Sequence, residues 1–390
     1  MTITQQFDNH LLPLWADNVL VTPAFVYDES RIEQKLDLLS VVRDRSNCRI
    51  LYSIKALSFA GLLQKISKHV DGFSASSAFE SRLARDILSD SGSVHLCSPG
   101  IRQPDVVDIT RNSDYISFNS LSQWKRFKSH FNNVKCGLRI NPGLSFVKDE
   151  RYDPCRPWSK LGVPVEYLDE LYQDNHLMQG LSGLHVHNNC ESDDYLQLTA
   201  TIEQIASKHG KLIKNMQWLN LGGGYLLNDV SQMDVLCDLV NKLSNEFNLE
   251  IFIEPGKGIV GDAGYMVASV IDLFESGGKT IAVLDTTINH LPEVFEYQYK
   301  PVILQESASG KYQYRLAGAS CLSGDLFGDY SFDKPLEIGS RIIFTNAGAY
   351  MMVKASMFNG INLPAVYALT SSNRLQLEKE FDYTHYRDRL

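Results

Sequence analysis

Apolar positions dominate Arg49-Ile50-Leu51-Tyr52-Ser53-Ile54-Lys55-Ala56. The run is rich in β-branched and aromatic residues and ends on a lone lysine, so it predicts a strand with Leu51, Ser53 and Lys55 on one face and Ile50, Tyr52 and Ile54 on the other. Upstream, Thr22 to Tyr27 predicts a short strand. Ser30 and Glu33 have the spacing of a capping box, and Ile32, Leu36 and Leu39 recur at helical spacing behind it. The same strand, helix, strand rhythm continues with strands predicted over 71–75, 93–97, 114–118, 135–140, 181–187, 217–221 and 250–254. With the lysine strand these make eight, each separated from the next by room for a helix. Eight such alternations imply a (β/α)8 barrel whose site lies on the loops at the carboxyl ends of its strands.

The rhythm changes after about Gly264. Segments 265–273, 280–284, 312–317 and 340–345 read as strands joined by turns, without long helical stretches between them. The expected organisation is α/β plus β: an N-terminal segment 1–27 packing with the β domain, a barrel over 28–261, and a mainly β domain over 262–390.

Composition adds limits. A chain of 390 residues with 44% hydrophobic and 21% charged residues has material for a substantial core, and two domains suit its length better than one. The net charge is −9, with no basic run long enough for a nucleic-acid surface, and such a field favours a cationic substrate. Seven cysteines without CxxC pairing or regular spacing read as reduced thiols of a cytoplasmic protein. Residues 1–17 carry Asp8, Pro13 and Asp17 and no continuous apolar segment, so neither a signal peptide nor a membrane span is expected.

Three strand ends carry candidate chemistry. Lys55 reads either as a surface lysine or, if desolvated, as an amine able to form a Schiff base with a carbonyl. Leu221-Gly222-Gly223-Gly224 follows the seventh predicted strand; three glycines suit a tight turn, or a phosphate cradle at the place where such barrels bind phosphate. Glu254, in Glu254-Pro255-Gly256-Lys257 after the eighth strand, is an exposed acid or a carboxylate that keeps a ring nitrogen protonated. Together they are the parts needed to hold pyridoxal phosphate: aldehyde, phosphate and pyridine nitrogen. His185 and His187 also read as metal ligands on one strand face, but no third ligand stands at a convincing spacing, and no metal is assigned.

Tyr52-Ser53-Ile54-Lys55, Gly183-Leu184-His185-Val186-His187, Gly222-Gly223-Gly224 and Glu254-Pro255-Gly256, in this order, resemble the fold-type III pyridoxal-phosphate decarboxylases, whose relatives include ornithine and diaminopimelate decarboxylases and alanine racemase. The resemblance covers nearly the whole chain. It implies an alanine racemase-like fold, Lys55 as the Schiff-base lysine, His187 stacked on the cofactor ring, Gly222, Gly223, Gly224 and Gly256 around the phosphate, and Glu254 at the pyridine nitrogen. Arg139, in Leu138-Arg139-Ile140-Asn141-Pro142, matches a family arginine near the cofactor.

The second domain narrows the resemblance. Cys321 to Tyr330, Gly348 to Lys354, Phe358 to Asn362, His187 to Glu191, and Leu284-Asp285 with His290 to Glu293 are similar to the carboxynorspermidine/carboxyspermidine decarboxylase subgroup. That subgroup implies a homodimer with shared sites, in which Cys321 completes the neighbour's site as proton donor and Tyr350 lies by the cofactor. A carboxypolyamine substrate also needs anionic partners, for which Glu293, Glu296 and Asp325 are the candidates. Lys257 departs from the arginine or acidic residue usual after Glu-Pro-Gly, and Cys190 stands where ornithine decarboxylases carry a phosphate-binding serine. The alternatives are a decarboxylase of another carboxylated amine in siderophore or natural-product biosynthesis, a diaminopimelate decarboxylase, an amino-acid racemase, and a non-catalytic pyridoxal-phosphate carrier.

Overall fold

The computed structural model describes residues 15–390, and the acidic and proline positions Asp8 and Pro13 noted above lie outside them. The chain divides into two compact units. Gln34–Ile259 form one; Val260–Leu390, together with residues 15–33, form the other.

The first described strand, β1 (Ala24–Asp28), runs into helix α1 (Glu29–Ser46), within which the chain passes into the first unit. There, strands β2 (Arg49–Ser53), β3 (Gly72–Ala75), β4 (Ser93–Ser98), β5 (Tyr115–Phe118) and β6 (Lys135–Asn141) follow one another. Helices α2 (Ala60–Ile66), α3 (Ala78–Leu88), α4 (Val106–Asn112) and α5 (Leu121–Phe127) alternate with them. After a two-residue strand β7 (Val163–Pro164) and short helices α6 (Leu168–Gln173) and α7 (Asn175–Met178) come β8 (Leu181–Val186), α8 (Leu196–Lys214), β9 (Trp218–Asn220), α9 (Ser231–Phe247) and β10 (Glu250–Ile253).

The order β5-β4-β3-β2-β10-β9-β8-β6, with β5 also paired to β6, closes eight parallel strands into a barrel. Parallel pairing in a closed ring requires crossovers through helices, which is why the apolar strand segments and the helical periods alternate as they do. The predicted (β/α)8 barrel is therefore present, and its eight strands coincide with the predicted segments to within one or two residues.

Alternation along β2 sends Leu51 into the barrel interior, where it packs with Tyr115, Trp218 and Phe252. His95 joins this aromatic layer, stacked on Tyr115 at 4.0 Å between ring centroids. Gly183 leaves the space that Trp218 fills, since a Cβ there would stand 1.9 Å from the indole. Removing a buried tryptophan from such a layer costs about 3–5 kcal/mol. The layer packs the lower barrel, so polar groups that enter higher up do so at the strands' carboxyl ends.

The second unit is built on β11 (Gly264–Ser276), β12 (Lys279–Leu284), β13 (Tyr312–Ala317), β14 (Leu326–Phe332), β15 (Arg341–Phe344), β16 (Ala365–Leu369) and β17 (Leu375–Lys379). Its sheet runs β14-β13-β12-β11-β1-β16-β17, with β15 paired on β11. Residues along β11 alternate between two cores, Met266, Ala268 and Val270 entering one and Tyr265 and Val267 the other. Arg341 ties the segment before β1 to this sheet by donating to the Val19 carbonyl and the Thr22 hydroxyl at 2.8 Å each.

Candidate active site

In the first unit, Lys55 lies two residues beyond the end of β2, in a turn closed by the Ala56 N–H on the Ser53 carbonyl at 3.1 Å. Tyr52 reinforces the turn by donating its hydroxyl to the Leu57 carbonyl at 3.1 Å. The lysine side chain itself is exposed. Backbone pairing brings this turn to the Glu-Pro-Gly segment and to β3: Ser53 N–H donates to the Pro255 carbonyl at 2.9 Å, and Ile54 N–H to the Ser74 carbonyl at 3.1 Å.

The glycine run leaves β9 as a buried turn whose backbone passes very close to its neighbours. A Cβ at Gly223 would lie 2.2 Å from the Glu254 carbonyl oxygen, and one at Gly224, which has φ +92°, would lie 2.1 Å from that of Asn189. Only glycine fits here, and the turn exposes N–H groups that a side chain would block. One of them, Gly223 N–H, donates to His187 Nδ1 at 3.1 Å, which fixes that ring nitrogen as an acceptor.

Inside the barrel, Glu254 and His185 are 5% and 2% exposed. Glu254 Oε1 accepts from Asn220 Nδ2 at 2.8 Å, and Oε2 stands 3.6 Å from His185 Nε2. Burial pushes the Glu254 carboxyl up, but His185, Lys55, Asn220 and Ser74 together outweigh it and hold the group below its ordinary value, ionised. Burial holds His185 down at about 4, against the pull of Glu254 and with help from Arg139 and Lys55. His187 is likewise held well below its usual range, first by burial and then by the charges of Arg139 and Lys55. Both imidazoles are neutral near pH 7.

Arg139, from β6, donates to the His187 carbonyl at 3.4 Å, while its buried Nε and both ring nitrogens of His185 have no hydrogen-bond partner. Cys97, at the end of β4, senses Arg139, Glu254 and Lys55, and burial pushes its thiol up. The arrangement fits pyridoxal phosphate. It supplies an amine at Lys55, a side-chain-free glycine turn where a phosphate can approach the backbone, unspent donors on Arg139 and His185, and an ionised carboxylate kept dry, as required beside a cationic ring nitrogen.

Sequence spacing offers no third metal ligand beside the two histidines. In the folded barrel donor atoms of His185, His187 and Glu254 lie within 4.8 Å of one another, but Glu254 Oε1 is taken by Asn220, and no metal is assigned. His187 and Glu254 are 67 positions apart in sequence and meet because β8 and β10 both pair with β9. Asn220 and Ser74 were not apparent as site residues. The signal for Asn220 is a polar side chain two residues before a glycine run, at a strand end expected to be buried on both faces.

Lys257, next to Gly256, pairs with Glu191 at 2.5 Å. The Cys190 N–H donates to the Asn189 side chain at 2.9 Å.

The remaining predicted residues belong to the second unit. Cys321 is exposed, and its N–H donates to Asn359 Oδ1 at 2.9 Å. Tyr350 has φ +62°, a strained conformation for an aromatic residue and one that accumulates at functional sites. Glu293 and Glu296 lie on α10 (Pro292–Tyr297), and both approach the ammonium of Lys354, Glu296 the more closely. Asp325, predicted to meet a substrate cation, turns its oxygens to protein donors instead: Oδ1 to Ile288 N–H at 2.6 Å, and Oδ2 to Ser320 N–H at 3.0 Å and the Ser320 hydroxyl.

Comparison with known proteins agrees with this geometry. Residues 24–348 match the family model of the pyridoxal-dependent decarboxylases with a C-terminal sheet domain. The chain is 35% identical over 378 residues to carboxyaminopropylagmatine decarboxylase of Synechocystis sp., covering 95% of this chain and 96% of that one. It is 30% identical over 372 residues to carboxynorspermidine/carboxyspermidine decarboxylase of Herminiimonas arsenicoxydans, covering 94% and 99%. The crystal structure of carboxynorspermidine decarboxylase from Campylobacter jejuni, complexed with norspermidine, superimposes with a TM-score of 0.85 at 30% identity, over 95% of this chain and 100% of that one. The chain belongs to the pyridoxal-dependent decarboxylases, with their alanine racemase-like pairing of a barrel and a sheet domain, and its cofactor is pyridoxal 5'-phosphate. Among the described residues no helix is long and apolar enough to cross a membrane.

Proposed function

We propose that this decarboxylase acts on a carboxylated polyamine, converting carboxynorspermidine to norspermidine or carboxyspermidine to spermidine with release of carbon dioxide. The observation that carries this reading is a dry, ionised Glu254 between the Lys55 turn and the glycine turn, in a chain aligned almost end to end with relatives of that name. The 35% identity to the Synechocystis enzyme supports a second reading, a carboxylated agmatine derivative with a guanidinium tail.

Pyridoxal phosphate supplies an aldehyde that holds the substrate amine and a ring that draws off the electron pair left by departing carbon dioxide. In this reading Lys55 would hold the cofactor's aldehyde through its amine. The turn Gly222, Gly223 and Gly224, with Gly256 nearby, would hold the phosphate, and Arg139 would add positive charge. Glu254 would keep a proton at the ring nitrogen, and His187, fixed by Gly223, would orient the ring. Cys321 donates a proton to the α-carbon, so that a C–H bond replaces the broken bond to the carboxyl carbon. Tyr350 contacts the cofactor. Glu293 and Glu296 bind distal ammonium groups, while Asp325 orders the loop that carries Cys321. The reading includes a cytoplasmic homodimer with Cys321 serving the partner's site, a small cationic substrate, and no nucleic-acid or membrane partner.

The test is carbon dioxide release by purified protein with pyridoxal phosphate, on carboxynorspermidine, carboxyspermidine, carboxyaminopropylagmatine, diaminopimelate, ornithine, lysine and arginine in parallel. Preference for the first two supports the proposal. Preference for the third selects the second reading, and preference for a simple amino acid overturns both.

A further inference from the structure

Asn220 is 1% exposed at the end of β9, and its side-chain amide is used at both ends. Its Oδ1 accepts the buried Gly222 N–H at 2.8 Å, and its Nδ2 donates to Glu254 Oε1 at 2.8 Å. A third bond closes the arrangement, Glu254 N–H donating to the Gly222 carbonyl at 2.7 Å. One amide therefore joins the first residue of the glycine turn to the carboxylate of the next strand. A carboxamide can satisfy both partners at once because it carries an acceptor and two donors, whereas a carboxylate only accepts and an apolar side chain does neither. Burial sharpens the point, since an N–H or carboxylate oxygen left unpaired here has no water to turn to.

We infer that Asn220 is a positioning residue that sets the geometry of the glycine turn and the charge of Glu254 together, so that phosphate binding and protonation of the ring nitrogen are coupled through one side chain. The inference rests on the assignment of the glycine turn to the phosphate and of Glu254 to the ring nitrogen.

Two substitutions separate the links. Asn220→Leu removes both; Asn220→Asp keeps an acceptor for Gly222 but sets a second carboxylate against Glu254, so that the two share a proton near neutral pH. Each variant is stripped of cofactor and titrated with pyridoxal phosphate by visible absorbance, and each pH profile of kcat is recorded beside that of Glu254→Gln. The expected result is a dissociation constant raised at least about tenfold in Asn220→Leu and within about threefold of the parent in Asn220→Asp. In Asn220→Asp the acid limb of the kcat profile should move up by about one pH unit or more, with a matching shift in the pH dependence of the bound cofactor's absorbance. If Asn220→Leu does not fold, the Asn220→Asp profile and spectrum decide alone. An unmoved acid limb and spectrum in Asn220→Asp, with Glu254→Gln impaired, overturn the coupling. An unimpaired Glu254→Gln overturns instead the assignment beneath it.

Discussion

His185 Nε2 and Glu254 Oε2 stand 3.6 Å apart inside the barrel, and burial keeps the imidazole neutral while the carboxylate beside it stays charged. The pair thus carries a single negative charge in a dry site, where it acts with greater force than in water. Replacing Glu254 with glutamine removes that charge while keeping the shape. kcat should fall roughly 10²- to 10³-fold. Cofactor should remain attached at Lys55, which borohydride reduction and peptide mass analysis would verify; retention of full activity would count against the assignment.

Lys55→Ala removes the amine at the end of β2. Turnover should drop by at least about 10³-fold, and borohydride should no longer fix cofactor to the peptide spanning residue 55. The lysine is exposed, so the circular dichroism spectrum and melting temperature should change little. Decarboxylation at the parental rate would remove Lys55 from the chemistry.

Cys321→Ala tests the proton donor. A positioned general acid contributes about 10²- to 10⁴-fold, so product formation should slow by at least about 10². An exposed cysteine adds little to stability, about 0.5 kcal/mol or less. A variant that loses stability yet keeps its rate would mark the residue as structural.

Glu296→Gln and Glu293→Gln probe cation recognition. Each should raise KM for a carboxypolyamine by about tenfold while moving kcat less, since each removes a contact to a part of the substrate remote from the reacting carbon. Lys354→Met removes the ammonium that both acids approach and should lower KM for the same substrate. Unchanged KM values in all three would exclude these acids from binding.

Acid should unfold the apoprotein at a pH set by its buried histidines. His185 and His290 are held near 4 by burial, and His95 is held well below its ordinary value of 6.5. The unfolded chain therefore binds protons at these rings before the folded chain does. Their contribution to stability is complete above about pH 6.5 and is lost as the pH falls toward 4, at about 1.4 kcal/mol per pH unit for each ring involved. Urea midpoints at pH 7.5, 6 and 5 would measure the slope, and a flat profile would contradict it.

The barrel was legible because each of its strands is a short apolar run and each crossover is long enough for a helix. Lys55, the glycine turn and Glu254 were legible because a functional group at a strand end stands out against the apolar residues before it. What periodicity could not show is how distant strand ends meet. The approach of His185 to Glu254 joins β8 to the end of β10, and the double use of Asn220 depends on the path of the next strand's backbone. Hydrogen-bond partners were equally hidden: Asp325 looks available in sequence, yet its oxygens are taken by Ile288 and Ser320, residues 37 and 5 positions away.

The eight strands of the closed barrel each pair on both sides, whereas the second unit's sheet ends at β14 and β17. β17 carries Glu378 and Lys379, charges that discourage another chain from pairing along it, and it covers β16, all five of whose residues are buried. A chain cut in the hairpin before Leu375 would leave Ala365-Val366-Tyr367-Ala368-Leu369 as a bare apolar edge, a template for self-association into insoluble β aggregates. The last strand is thus a guard on solubility as much as a part of the fold.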